Sequence, residues 1–145
     1  MKYSLIASTI CASLLIAGAA HAHGNVTPQS VDVEGLPDVE GWSDSNPYRQ
    51  LEGKKRQKVI EKGDYAFHQT CAGCHGLEAK AGGIAPDLRM LTPKADDAYF
   101  VGRVQSGGRG MPAFGEVLEP EAVWAIRTWL ETKHDEAMEE RYGSP

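Results

Sequence analysis

The stretch "CAGCH" at residues 71–75 limits the possible folds more than any other segment of the chain. It sets two thiols two residues apart and puts an imidazole directly after the second. A structural zinc site needs four ligands. Cys71, Cys74 and His75 offer three at most, and no second CxxC follows. A redox dithiol of the thioredoxin kind expects a preceding strand and a βαβ setting. Here the residues before Cys71 read as a helix, and no strand alternation is visible. A disulfide would close a very small loop and leave His75 without a role. Covalent haem attachment accounts for all three residues. Each thiol adds to a haem vinyl group to form a thioether, and the spacer sets the thiols one helical turn apart. His75 then lies beneath the ring and ligates the iron.

The N-terminal sequence strengthens this reading. "MKYSLIASTICASLLIAGAAHA" has one basic residue, Lys2, an apolar run and a small-residue ending, Ala20-His21-Ala22. Residues 1–22 are expected to be a secretory signal cleaved after Ala22. The apolar run is short for a spanning helix, so no stable membrane anchor is expected after cleavage. Cys11 leaves with the signal, and Cys71 and Cys74 remain as the only thiols. Loss of Lys2 takes the formal net charge from -5 to -6. A chain this acidic, without a basic stripe, does not fit nucleic-acid binding. The periplasm is the expected compartment.

Residues 23–53 carry six acids, one base and no helical or strand period. They read as an irregular N-terminal arm with Trp42, Pro47 and Tyr48 as apolar anchors against the domain surface. A haem domain is expected over 54–136, followed by a charged C-terminal tail over 137–145. Within the domain, Val59, Ile60, Gly63, Ala66, Phe67 and Thr70 recur at threes and fours, the spacing of one helix face. Glycine in a helix costs about 1 kcal/mol against alanine. Gly63 on the apolar face therefore suggests close approach by another helix. Thr92-Pro93 predicts the cap and first position of a helix running through Lys94–Ser106 and burying Phe100, Val101 and Val104. Glu119-Pro120 predicts the start of a last helix reaching about Lys133, with a fraying end beyond. The fold class is all-α: three main helices with long loops around one covalently bound haem.

The iron's sixth ligand separates function classes. Met111 sits in "GGRGMPAFG", where glycines permit a tight backbone and Pro112 stiffens the exit. Met90 follows "PDLR" too closely for its loop to cross to the opposite haem face, and Met138 lies in the charged end. His68 shares the helix that leads into the attachment site. His134 falls at the expected frayed end, and His23 on a flexible terminus.

From about Lys54 to Lys133 the chain resembles a class I cytochrome c. "CAGCH" matches the attachment site and proximal ligand, and "MPAF" matches the distal methionine loop at Met111. "GGIAPDL" is similar to the family's Gly-Pro-x-Leu loop. The resemblance therefore implies that the Pro86 carbonyl accepts a hydrogen bond from the His75 ring, orienting it. It also implies that Gly63 and Phe67 face the last helix near Trp129, where the family more often has Tyr or Phe. The arm, the "NPYR" segment and the total length resemble the cytochromes c-550 associated with quinoprotein ethanol dehydrogenases. That resemblance implies a one-electron carrier rather than an enzyme. Its donor would be a PQQ-dependent (quinoprotein) alcohol dehydrogenase. Its acceptor would be a downstream cytochrome or terminal oxidase of the respiratory chain. Lys80, Arg89, Arg103 and Arg109 lie in segments expected around the haem, where they serve either docking or ordinary solvation.

Two rival readings stay open on sequence alone. A peroxidase-like haem enzyme or ligand sensor would require Met111 to leave the iron readily. A mature His23 would offer copper an α-amine and an imidazole if His68 or His134 came near.

Overall fold

A computed structural model describes residues 28–81, 83 and 85–143. The signal segment, its expected cleavage point after Ala22, and His23 lie outside the described residues. The described residues form four α-helices: α1 (Gly53–Thr70), α2 (Ala72–His75), α3 (Asp97–Ser106) and α4 (Pro120–Tyr142). Short 3-10 turns occur at Pro47–Gln50 and Leu88–Met90. No strand occurs among the described residues, and one isolated bridge joins Gly108 and Met111. None of the described helices is long and apolar enough to cross a membrane.

The crossing of α1 and α4 organises the core. Val59, Gly63, Ala66, Phe67 and Thr70 are buried along one face of α1, as their spacing predicts, with Ile60 half-buried beside them. Gly63 is the point of closest approach. A Cβ added there would overlap the Ala125 carbonyl oxygen and stand 2.5 Å from its carbon. One turn on, the Phe67 and Trp129 rings pack tilted at 37°, with centroids 4.6 Å apart. Pro120 opens α4 at its first position, where the missing N–H costs nothing. From Ala122 to Glu131 every residue of α4 is buried. A helix covered on all sides needs partners all round. One side is α1, and the arm covers another.

The arm is seated more deeply than the anchors alone suggest. Asn46 is 4% exposed and Tyr48 2%. The Tyr48 hydroxyl donates to Pro37 O at 2.6 Å, and Val39 N donates to Glu121 Oε1 at 2.9 Å. Val33, Leu36, Val39 and Trp42 pack against the core.

Two helix limits differ from the sequence reading. α3 begins at Asp97, not Lys94, because Lys94 adopts a left-handed φ of 67° and interrupts the turn. Thr92 does not cap α3; its amide donates instead to Asp96 Oδ2 at 2.7 Å. Phe100, Val101 and Val104 are buried as expected. α4 does not fray after Lys133 but continues to Tyr142. Ala137 is buried on it, and Lys133 holds Glu78 at 3.1 Å and Glu136 at 2.9 Å. His134 is therefore fixed within a helix, with its Nδ1 2.7 Å from Arg89 O.

Candidate functional site

Cys71 stands at the junction where α1 ends and α2 begins. Its amide donates to Phe67 O at 2.8 Å, while its own carbonyl accepts from Cys74 N and His75 N at 3.1 and 3.0 Å. These bonds carry the helical path through the motif. Cys71 and Cys74 are not joined to one another. Burial pushes the Cys71 thiol up to about 11, against a smaller lowering by the Thr70 hydroxyl 3.2 Å away. A redox dithiol needs the opposite, a thiol whose pKa is lowered towards neutrality. Among the described residues no cluster of three or more His, Cys, Asp or Glu is arranged to hold a metal ion.

His75 is 8% exposed, and its Nδ1 lies 3.0 Å from Pro86 O. A carbonyl oxygen only accepts, so Nδ1 carries the proton and Nε2 keeps a free lone pair. The loop that supplies Pro86 is tightly returned. Gly76 has φ 78°, and a Cβ there would stand 2.5 Å from Lys80 O. Ala79 is fully buried, donates to Gly76 O at 3.1 Å and accepts from Leu88 N at 3.0 Å. After Pro86, the Asp87 carboxylate takes the Arg89 amide and Nε at 3.0 Å each and Nη2 at 2.7 Å. The hydrogen-bonded Arg89 guanidinium holds the Asp87 carboxyl below its usual range.

Met111 lies on a second loop, carried by α3. Gly108 N donates to Met111 O at 2.8 Å, and Met111 N returns to Gly108 O at 3.1 Å. The exit strands the chain back on α3, with Phe114 N on Val104 O at 2.9 Å and Gly115 N on Gln105 O at 3.3 Å. Gly107, with φ 66°, makes this possible. A Cβ there would stand 2.5 Å from Met111 O and 2.7 Å from Ala113 N. Met111 and Cys71 are both half-buried and pack against the same apolar core.

Of the four cations expected around this region, three are engaged. Lys80 and Arg89 both approach Glu140, at 3.8 and 3.6 Å. Arg103 Nη1 donates to Gly107 O at 3.0 Å and its guanidinium lies 5.6 Å from the Tyr99 ring centroid. Arg109 is exposed, with no partner among the described residues. Sequence reasoning missed Glu140 as the shared acid, because α4 was expected to end before it. It also missed a buried cluster of Asn46, Arg49, Asp97, Arg127, Thr128 and Glu131. The available hint was Arg127 and Glu131, one turn apart inside an otherwise apolar helix.

Residues 58–130 match the family model described as "Cytochrome C oxidase, cbb3-type, subunit III". The chain is 46% identical over 132 residues to a cytochrome c550 of Pseudomonas aeruginosa, covering 86% of this chain and 90% of that protein. It is also 40% identical over 75 residues to the quinohemoprotein alcohol dehydrogenase ADH-IIG of Pseudomonas putida. That match covers 49% of this chain but only 10% of the enzyme. A dehydrogenase subunit of a quinone-type alcohol dehydrogenase from Acetobacter aceti is 34% identical over 77 residues, again a tenth of its length. No solved structure matches the chain.

Proposed function

Because the chain belongs to the cytochrome c family, an electron-transfer protein with covalently bound haem c as its cofactor, we propose that it is an exported carrier between a quinoprotein alcohol dehydrogenase and the respiratory chain. In this reading Cys71 and Cys74 would hold haem c through two thioethers, His75 and Met111 would ligate its iron, and Pro86 would orient His75. The observation that carries the site assignment is the 3.0 Å contact between His75 Nδ1 and Pro86 O. It leaves Nε2 available beside two unpaired thiols, the donor set that a covalently held haem requires.

When bound, haem c supplies a one-electron ferric/ferrous couple. The chain's own residues set how that couple behaves. Pro86 fixes the imidazole tautomer and orientation. Met111 together with His75 would favour a high potential and would leave no vacant protein-facing site for oxygen or peroxide. The haem domain is assigned to 54–136, preceded by the arm at 23–53 and followed by a charged segment at 137–145.

The donor class is supported by the likeness to a short part of quinone-linked alcohol dehydrogenases. Such an enzyme takes two electrons from an alcohol, so two brief encounters with a one-electron carrier complete each turnover. Brief redox encounters use small interfaces. Export with cleavage after Ala22 places the carrier in the periplasm, passing electrons to a downstream cytochrome or terminal oxidase.

Stopped-flow mixing of the purified ferric protein with alcohol-reduced quinoprotein dehydrogenases tests the donor. Reduction that saturates with dehydrogenase and needs alcohol is expected; no reduction by any of them removes the donor assignment. Acid-acetone treatment tests attachment separately. Haem should stay on the polypeptide, and extraction into the solvent would remove Cys71 and Cys74 from their assigned roles.

A further inference from the structure

Electron transfer at the haem gives no work to the "NPYR" segment, yet its side chains are among the most constrained in the molecule. Arg49 Nη2 lies 2.7 Å from Asp97 Oδ2 and 2.6 Å from Glu131 Oε1. Asn46 N donates to the same Asp97 oxygen at 3.1 Å. Asn46 Nδ2 donates to Thr128 Oγ1 and Glu131 Oε1 at 3.0 Å each. Arg127 Nε closes the circuit on Asp97 Oδ1 at 2.9 Å, with both side chains fully buried. Two guanidinium groups balance two carboxylates. Such a network holds as a unit, because removing one member strands an uncompensated charge.

Its location gives it a role beyond adhesion. Asp97 is the first residue of α3, and Gly107 ends that helix and starts the Met111 loop. The loop hangs from the far end of α3 through Phe114 and Gly115. The helix is ten residues long, a rigid strut of about 15 Å. The N-terminus of α3 has no side-chain cap of its own, so contacts from the arm and α4 hold it. The 3-10 turn that bears Arg49 runs almost directly into α1, which leads to Cys71 and His75. The network thus ties the segment entering the His75 side to the strut that carries Met111.

We propose that the arm is a latch on the sixth ligand. Asn46 and Arg49, acting on Asp97, are positioning residues that keep α3 seated and so keep Met111 on the iron. Releasing them frees α3 and its loop while the α1–α4 crossing stays packed, because that crossing is made by Gly63, Ala125, Phe67 and Trp129 without the arm. This rests on Met111 being the sixth ligand.

The test is imidazole binding to the ferric holoprotein, which competes with the methionine. In Arg49→Met the affinity for imidazole is expected to rise about tenfold, the size of an ordinary coupling between sites. Arg49→Lys, which keeps the charge, should give a smaller rise. A folded Arg49→Met protein with parental imidazole affinity, whatever its melting temperature, overturns the latch. Met111→Ala is the control. There imidazole affinity should no longer respond to Arg49→Met. A Met111→Ala protein that keeps a methionine-type spectrum instead overturns the ligand assignment and the latch with it. If Arg49→Met does not fold, amide exchange of the parent protein decides. Asn46 and Phe114 are expected to exchange through one shared opening below global unfolding. Exchange of Asn46 alone, with Phe114 opening only on global unfolding, overturns the latch.

Discussion

The His75 imidazole donates through Nδ1 to the backbone carbonyl of Pro86 at 3.0 Å. The acceptor is main chain, so the side chain at 86 contributes only rigidity. Pro86→Ala keeps the oxygen and frees φ in the unfolded chain, a change worth about 0.4–1 kcal/mol. The variant is expected to retain covalent haem and a low-spin spectrum, with a slightly lower denaturation midpoint. Loss of histidine ligation in this variant would show that the ring, not the carbonyl, of Pro86 positions His75.

Gly63 allows no side chain. Its Cβ direction meets the Ala125 carbonyl, which is backbone and cannot rotate away. Gly63→Leu should therefore cost at least the ~1–3 kcal/mol of ordinary overpacking. Gly63→Ala should also destabilise, despite the better helix propensity of alanine. Urea titrations of the three holoproteins check the order. An alanine variant more stable than the parent would contradict the close crossing.

The features legible in the sequence are those written in local spacing. The threes and fours from Val59 to Thr70 set the buried face of α1, and Gly63 and Phe67 marked where α4 crosses. "CAGCH" and "GGRGMPAFG" stand out by their residue types, and the structure sets the first at the junction of α1 and α2 and the second in the loop after α3. What was not legible depends on partners far along the chain. Lys94 carries no signal for its left-handed φ, so the Thr92-Pro93 pattern reads as a cap where the chain makes a turn. The end of α4 looked solvated because its charges are many. Glu140 finds Lys80 and Arg89, and Lys133 finds Glu78, only once the loop after His75 folds back. Asp97 and Arg127 are thirty residues apart, and nothing local to either announces the other.

Asp97 gives the fold a defined acid sensitivity. Burial alone would raise its carboxyl, but Arg49, the Asn46 amide and Arg127 together hold it below the ordinary aspartate range. The folded state therefore binds this proton less readily than the unfolded state. The resulting stability is fully present above about pH 4 and is lost as pH falls through the lowered folded value. Asp97→Asn should remove that part of the acid dependence. It should also cost roughly 3–5 kcal/mol near neutral pH by leaving a buried guanidinium uncompensated. Denaturant titrations from pH 7 to pH 3 on both proteins measure both effects. Parallel pH curves would show that Asp97 does not carry the sensitivity.

Met111→Ala decides the iron's sixth ligand. The competing side chains sit elsewhere in the fold. His68 lies on α1, the helix that leads into the attachment motif, and His134 lies within α4, with its Nδ1 2.7 Å from Arg89 O. Met90 sits in the 3-10 turn Leu88–Met90, close after the residue that orients His75. None is placed on the Gly107–Gly115 loop, so water or an added ligand should fill the open position. A soft thioether favours ferrous iron, and its loss should lower the reduction potential. Electron acceptance from a quinoprotein donor should weaken, weak peroxidase activity should emerge, and attachment through Cys71 and Cys74 should survive. A redox titration with visible spectra of parent and variant is the measurement. A variant with the parent's potential and a methionine-type spectrum would assign the sixth ligand to another residue.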